Sequence, residues 1–120
     1  MKFLLVFLGG GLGSSLRYLL SKYFYNLETS IPYGTLLVNV LGSFFVGIFI
    51  GFSLKNDALS QNQVLFLTVG FCGGFSTFSS FSLENITLLK NGDYVQFGIY
   101  TLASIFLGIL AVLFGLSIVR

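Results

Sequence analysis

Four apolar stretches divide the chain, and no other feature limits its possible folds so strongly. They cover residues 3–25, 32–54, 58–89 and 94–119. The second and fourth stretches carry no charged residue, the third carries only Glu84, and the first carries only Arg17 and Lys22. A membrane-spanning helix needs roughly 20 apolar residues, and the stretches lack the alternation of outer-membrane strands. The sequence therefore predicts one all-α integral membrane domain with four transmembrane helices.

The composition supports this prediction. Only 8% of the 120 residues are charged and the mean hydropathy is +0.94, whereas about a quarter of the residues of a soluble domain are charged. Most of the surface must therefore face lipid. The first stretch begins like a secretory signal peptide, with a lysine and an apolar run, but a small-x-small cleavage site is hard to place before Arg17. We therefore interpret it as a span.

Several function classes lack the residues that they need. The chain has no histidine, a single cysteine (Cys72) and four scattered acids, which leaves no basis for a metal cluster, a catalytic triad or a pair of catalytic carboxylates. The glycines of residues 9–13 are followed by no phosphate-binding lysine. The net charge is only +2 without a basic patch, so no nucleic acid is expected as a partner. The sequence does not predict an enzyme.

Lys and Arg residues divide evenly between the two sides of the predicted membrane domain. The connections at residues 26–31, 55–57 and 90–93 are short, so sequential helices are antiparallel neighbours. The side of the termini then carries Lys2, Lys55 and Arg120, and the other side carries Arg17, Lys22 and Lys90. An excess of Lys and Arg on the cytoplasmic side normally sets the orientation of a chain in the membrane. Either this chain has a modest preference for one orientation that the even count hides, or it inserts in both orientations and pairs with an inverted copy. We favour the second interpretation.

An inverted dimer has two further arguments in its favour. Four short helices alone hardly enclose a polar path, and many transporters build such paths between repeats of opposite orientation. Glycines four residues apart, at positions 9/13, 47/51 and 70/74, predict close contact between helices. The glycines indicate tight packing and do not by themselves identify a partner.

Polar residues form stripes within the second and fourth spans. Thr35, Asn39 and Ser43 share one face of the second helix, and Tyr100 and Ser104 share one face of the fourth. Hydroxyl groups at membrane depth often have only a structural role, in which they form hydrogen bonds between helices. Asn39 differs, because an amide has two donors and two acceptors that its own helix cannot satisfy. We therefore predict a functional role for Asn39.

The third span contains a run that disfavours a continuous helix. Residues 70–82 include three glycines and five hydroxyl residues, which weaken a helix and offer competing hydrogen bonds. A helix break is therefore predicted here, and broken backbone at membrane depth is tolerated where it is buried or lines a cavity. Freed carbonyl groups at such a break can coordinate a cation.

Two phenylalanines after the predicted break face the same way. Phe78 and Phe81 are three residues apart on the helix. They can be ordinary packing residues, or they can present their positive ring edges to an anion. Beside neutral donors and away from full charges, ring edges would form the weakly binding route that conduction requires. Arg17 and Lys22 lie near a helix end, where they either attract anions or extend to lipid headgroups.

Three segments of the chain are similar to signatures of one known family. They are residues 9–18, a glycine-rich run ending in Arg17-Tyr18; residues 33–44, around Asn39; and residues 70–84, the serine-rich run ending at Glu84. Together they resemble the CrcB/Fluc family of small dual-topology fluoride channels, and the resemblance covers nearly the whole chain.

The resemblance implies an antiparallel homodimer in a bacterial cytoplasmic (inner) membrane. This dimer would have two pores, through which cytoplasmic fluoride leaves passively, so that fluoride toxicity is relieved. The implied pore residues are Asn39, Phe78, Phe81, Ser79, Ser80, Tyr100 and Ser104. Arg17 matches the basic residue of the vestibule.

The resemblance also implies a structural sodium ion at the dimer interface. The backbone carbonyls of Gly73 and Ser76 would hold it. Many relatives have threonine at the positions of Ser76 and Ser80. A site built from backbone carbonyls should tolerate Ser76, whereas Ser80 could alter a hydroxyl group in the pore.

Two other functions remain open. A small multidrug-type exporter would also be a four-helix dual-topology dimer, and it would need a titratable carboxylate for proton coupling. Glu84 is the only candidate for that role at membrane depth. A purely structural subunit would account for the glycines, but it gives no reason for Asn39 beside a serine-rich break.

Overall fold

A computed structural model describes residues 1–24, 31–55 and 58–119. The predicted end of the first span at Tyr25, most of the first two connections and Arg120 of the charge comparison lie outside the described residues. The described elements are helical, and they follow in this order: α1 (Lys2–Tyr23), α2 (Tyr33–Leu54), α3 (Gln61–Val64), the π-helix π1 (Leu65–Cys72), α4 (Gly73–Phe75), α5 (Phe78–Lys90) and α6 (Tyr94–Val119).

Four helical segments of the described chain are long and apolar enough to cross a membrane. They are Lys2–Tyr23, Tyr33–Leu54, Gln61–Lys90 and Tyr94–Val119. These segments confirm the prediction of an all-α chain with four membrane-spanning helices. The third combines α3, π1, α4 and α5.

The third segment changes its helical form along its length. It begins at a capping box, in which the Gln63 N–H donates to Ser60 Oγ and the Ser60 N–H donates to Gln63 Oε1. It then widens into π1 and ends its first part at Phe75. Ser76 and Thr77 have extended backbone conformations (φ −86°, ψ 157° and φ −148°, ψ 121°), and α5 begins after them. The segment therefore consists of two helical parts joined by two extended residues.

Glycines bring the helices into backbone contact at two places. Gly47 of α2 lies against the Val112 carbonyl of α6, and Gly115 of α6 lies against the Phe44 carbonyl of α2. Gly13 of α1 lies against the backbone of π1 and α4 in the same way. A Cβ atom at any of these glycines would overlap the neighbouring backbone. Two tightly packed helix pairs result, α2 with α6 and α1 with π1 and α4.

Candidate functional site

Asn39 of α2 holds the extended residues between α4 and α5. Its Oδ1 accepts a hydrogen bond from the Thr77 N–H at 2.7 Å, and its Nδ2 donates to the Thr77 carbonyl at 3.1 Å. Both backbone groups of Thr77 lack helical partners because the helix is interrupted there. The Asn39 amide replaces those partners, as its four hydrogen-bonding positions allow.

Side chains of α1 hold the other side of the interruption. The carbonyl oxygen of Gly74 accepts hydrogen bonds from Arg17 Nε at 3.0 Å and from Ser14 Oγ at 3.3 Å. The Thr77 hydroxyl caps α5 by accepting the Ser80 N–H at 3.2 Å. The interruption is thus fixed by side chains from two other helices as well as by its own cap.

A cavity of about 280 Å³ lies beside the interruption. Its described lining combines five neutral polar residues with two phenylalanines and one isoleucine, and no charged residue is among them. The lining residues are Asn39, Ser43, Ser76, Thr77, Phe78, Phe81, Ser104 and Ile105. The polar stripes of α2 and α6 and the phenylalanine face of α5 therefore meet at one place.

One hydroxyl group in this lining has no partner. Ser104 Oγ is buried and forms no hydrogen bond with any described residue. A buried hydroxyl without a partner is costly, so such groups are uncommon and each requires an explanation. The hydrogen-bonding capacity of the Ser104 hydroxyl is thus unused among the described residues.

Glu84 of α5 connects this helix to α2 and α6 next to the cavity. Its Oε2 accepts a hydrogen bond from Thr35 Oγ1 of α2 at 2.7 Å, and its Oε1 accepts one from the Tyr100 hydroxyl of α6 at 2.9 Å. The Tyr100 ring contacts Phe81, with 5.2 Å between ring centroids. Since Phe81 lines the cavity, a continuous row of side chains leads from the cavity to the Glu84 carboxylate.

The remaining predicted site residues lie around this centre. Ser79 and Ser80 lie in the first turn of α5, where Ser79 Oγ is 3.1 Å from the Thr77 hydroxyl, and neither is in the described lining of the cavity. Gly73 lies in α4, one residue before the carbonyl that Arg17 binds.

Sequence reasoning did not single out Thr77, and it considered Glu84 only as the proton-exchanging carboxylate of an exporter. Glu84 follows Phe78 and Phe81 at the same three-residue spacing, so this helical face was visible in the sequence. Thr77 contacts Asn39 through its backbone N–H and carbonyl groups. Every residue type except proline has both groups, so the identity of residue 77 does not predict this contact.

Comparison with known proteins agrees with this architecture. The family model of the CrcB-like protein, Camphor Resistance (CrcB), matches residues 4–116. The chain belongs to this family. CrcB-like relatives named "Fluoride-specific ion channel FluC" occur in Azobacteroides pseudotrichonymphae, Phocaeicola vulgatus and Gloeothece citriformis. The first is 50% identical to this chain, over 95% of this chain and 92% of its own length. The second is 48% identical, over 94% and 93% respectively. The third is 47% identical, over 100% and 98% respectively. The CrcB-like family is thus one of ion channels and not of enzymes, and this chain is a multi-pass membrane protein.

Proposed function

We propose that this protein is a fluoride-selective channel that exports cytoplasmic fluoride passively and so relieves fluoride toxicity. The observation that carries the proposal is the cavity at the interruption, where the unpartnered Ser104 hydroxyl lies among neutral polar groups and phenylalanine rings. The names of the relatives support fluoride as the ion.

The chemistry of the cavity suits a small anion that must pass through. Hydroxyl and amide groups of Asn39 and Ser104 can donate hydrogen bonds to the ion, and the rings of Phe78 and Phe81 can present their positive edges. Because no cationic side chain is in the described lining, the ion is attracted without being held. Weak binding at successive sites is what conduction requires.

The proposal includes an antiparallel homodimer in the bacterial inner membrane with two pores. Phe78 lines the cavity and yet is 79% exposed. A second, inverted copy would cover this face of α5 and close the cavity from lipid. The even distribution of Lys and Arg supports insertion in both orientations. A reporter enzyme fused to the C-terminus should be detected on both sides of the membrane, whereas detection on one side alone would exclude dual topology.

A structural sodium ion completes the proposed assembly. No hydrogen bond from a described residue reaches the carbonyl oxygen of Gly73 or Ser76, and such oxygens at membrane depth need a partner. The Ser76 hydroxyl donates to the Cys72 carbonyl at 3.0 Å, so the Ser76 carbonyl, and not its side chain, is the available ligand. These carbonyls fit a hard cation, and serine in place of threonine does not disturb them. When bound, the ion would offset the partial negative charge of the carbonyls.

A flux measurement tests the proposed function. Purified protein is reconstituted in liposomes loaded with potassium fluoride and potassium chloride, and efflux is followed with ion-selective electrodes. Fast fluoride efflux that needs a potassium ionophore, with chloride retained, is expected of a selective channel. Protein-free liposomes are the control. Failure to release fluoride under these conditions would refute the proposal.

A proton-coupled exporter is the second candidate, and Glu84 is the observation that favours it. Its carboxylate lies within a spanning helix and contacts two hydroxyl groups, as a proton-exchanging group in a transporter would. This candidate predicts transport that is driven by a pH gradient and does not need the ionophore. The same liposomes distinguish the two candidates when the external pH is varied.

A further inference from the structure

The carbonyl oxygen of Gly74 is the point at which α1 meets the interruption of the third span. In an unbroken helix this oxygen would accept a hydrogen bond from the N–H of Phe78, four residues later. The extended residues Ser76 and Thr77 separate the two groups. Instead, the oxygen accepts the hydrogen bonds from Arg17 Nε and Ser14 Oγ at 3.0 and 3.3 Å.

We propose that Arg17, assisted by Ser14, is a positioning residue for ion conduction. It fixes the Gly74 carbonyl and thereby holds the backbone of residues 73–77 in the conformation that forms one wall of the cavity. This inference rests on the proposed channel function. It differs from the expectation that Arg17 serves as a vestibule charge.

The packing of α1 leaves these donors little freedom. A Cβ atom on Gly74 would overlap the Gly10 carbonyl, and one on Gly13 would lie 2.8 Å from the Phe75 nitrogen. The two backbones are therefore in direct contact around the Gly74 carbonyl. Ser14 and Arg17 are three residues apart, so they share the face of α1 that looks towards it. The α1 backbone from which both donors extend is therefore fixed close to their acceptor.

The positive charge of Arg17 is also stabilised within the protein, by the end of a helix. Among the described residues, no carboxylate forms an ion pair with it. The helical run from Gln61 ends at Phe75, and the C-terminal end of a helix carries a partial negative charge that stabilises a nearby cation. Gly74 lies in that last turn. The guanidinium is therefore paired with a helix end, and it can lie near the pore without holding the ion.

Two substitutions separate the positioning role from the charge. In Arg17→Lys the charge is kept, but a methylene group takes the place of Nε and the ammonium lies one bond further on. In Arg17→Gln the charge is lost, but the side-chain amide nitrogen takes the place of Nε and can still donate to the Gly74 carbonyl. Lys22→Gln is the matched control, because Lys22 is an exposed cation in the last turn of the same helix. Each variant is reconstituted in the liposomes described above, at low and at high ionic strength.

The positioning role predicts a larger defect in Arg17→Lys than in Arg17→Gln. In Arg17→Lys, fluoride efflux should fall about tenfold or more, which is the expected effect of losing a hydrogen bond from a charged group. The ratio of fluoride to chloride efflux should fall as well, and high salt should not restore either. A reduced fraction of folded protein alone would leave that ratio unchanged. The proposal is overturned if Arg17→Lys conducts normally and only Arg17→Gln is defective, since the charge and not the Nε hydrogen bond would then matter.

A spectroscopic measurement tests the contact without any flux. Labelling with carbonyl-¹³C glycine and ¹⁵N phenylalanine selects the Gly-Phe pairs at positions 51–52, 70–71 and 74–75. The Gly74 carbonyl signal should move in Arg17→Lys, and to a smaller extent in the milder Ser14→Ala, while the Gly51 and Gly70 signals stay as internal controls. An unmoved Gly74 signal in both variants refutes the positioning role. This result is independent of whether the unsubstituted protein conducts fluoride.

Discussion

Asn39 and Thr77 are joined by two hydrogen bonds that run in opposite directions, from the Thr77 N–H to Oδ1 and from Nδ2 to the Thr77 carbonyl. The amide thus replaces both helical partners that Thr77 loses at the interruption. One of the two Nδ2 hydrogens remains for the cavity that Asn39 lines. Asn39 therefore holds one wall of the cavity, and in the proposed channel this remaining hydrogen is the one available to the ion.

Asn39→Asp should abolish most of the fluoride flux. Aspartate keeps an acceptor for the Thr77 N–H, but its second oxygen would face the Thr77 carbonyl where Nδ2 now lies at 3.1 Å. The substitution also adds negative charge to an anion path. We expect at least about a tenfold lower efflux rate and a lower melting temperature, since a buried unpaired group costs about 1–3 kcal/mol. Asn62→Asp, at an exposed position of α3, is the control, and normal efflux from Asn39→Asp would remove Asn39 from the pore.

Phe81→Ile should slow conduction without changing the fold. The Phe81 ring lies 5.2 Å from the Tyr100 ring and 5.8 Å from the Phe78 ring, centroid to centroid. Isoleucine fills part of this space but has no positive ring edge. Aromatic contacts contribute about 0.5–1.5 kcal/mol beyond burial, so efflux should fall between about twofold and tenfold. Phe114→Ile, which removes a ring stacked on Phe44, should leave efflux unchanged. Equal rates in all three proteins would contradict a role for the Phe81 ring.

Ser104→Ala should separate function from stability. Because Ser104 Oγ is buried without a described partner, its removal relieves a cost of about 1–3 kcal/mol. The melting temperature in detergent should therefore stay the same or rise, while fluoride efflux falls. In the control Ser117→Ala, the lost hydroxyl is exposed and donates to the Phe114 carbonyl, so neither quantity should change much. A lower melting temperature for Ser104→Ala would mean that the hydroxyl has a structural partner.

The sequence predicted the four spans, and it identified several of the residues that meet at the cavity, because both depend on local patterns. Hydropathy identified four helices, and the four-residue spacing placed Thr35 and Asn39 on one face, which the structure directs towards α5. The spacing of Phe78 and Phe81 likewise identified the face of α5 that meets the cavity.

Other features depend on how the helices are placed relative to one another, and the sequence does not specify this placement. The role of Glu84 requires α2 and α6 to approach α5 from two sides. The contact of Arg17 with Gly74 requires α1 to lie against α4. The π-helix before the interruption is also set by packing, since residue preferences do not distinguish it from an α-helix. These contacts join residues far apart in the sequence, and spacing within one helix cannot predict them.

Gly115→Ala should destabilise the protein through the contact between α2 and α6. A Cβ atom at Gly115 would overlap the Phe44 carbonyl and lie 2.9 Å from the Ile48 nitrogen, and neither backbone atom can move away easily. Overpacking of this kind costs about 1–3 kcal/mol, which a lower melting temperature in detergent would record. Gly98→Ala is the control, because nothing lies within 4 Å of a Cβ atom there. A melting temperature that falls equally in both variants would contradict the packing argument.

Glu84→Gln should slow fluoride efflux and leave it independent of a pH gradient. The carboxylate uses one oxygen for Thr35 and the other for Tyr100, whereas glutamine has a single acceptor oxygen and would present its NH₂ group to one of these hydroxyl donors. That hydroxyl must then accept instead of donate, which weakens the contact at membrane depth, and the expected fall is about tenfold. Thr35→Val and Tyr100→Phe each remove one of the same two bonds and should cause similar defects. The opposite result is that the unsubstituted protein transports fluoride only when a pH gradient drives it, and that Glu84→Gln, but neither Thr35→Val nor Tyr100→Phe, abolishes this transport. The carboxylate would then exchange protons, and the exporter would be the correct function.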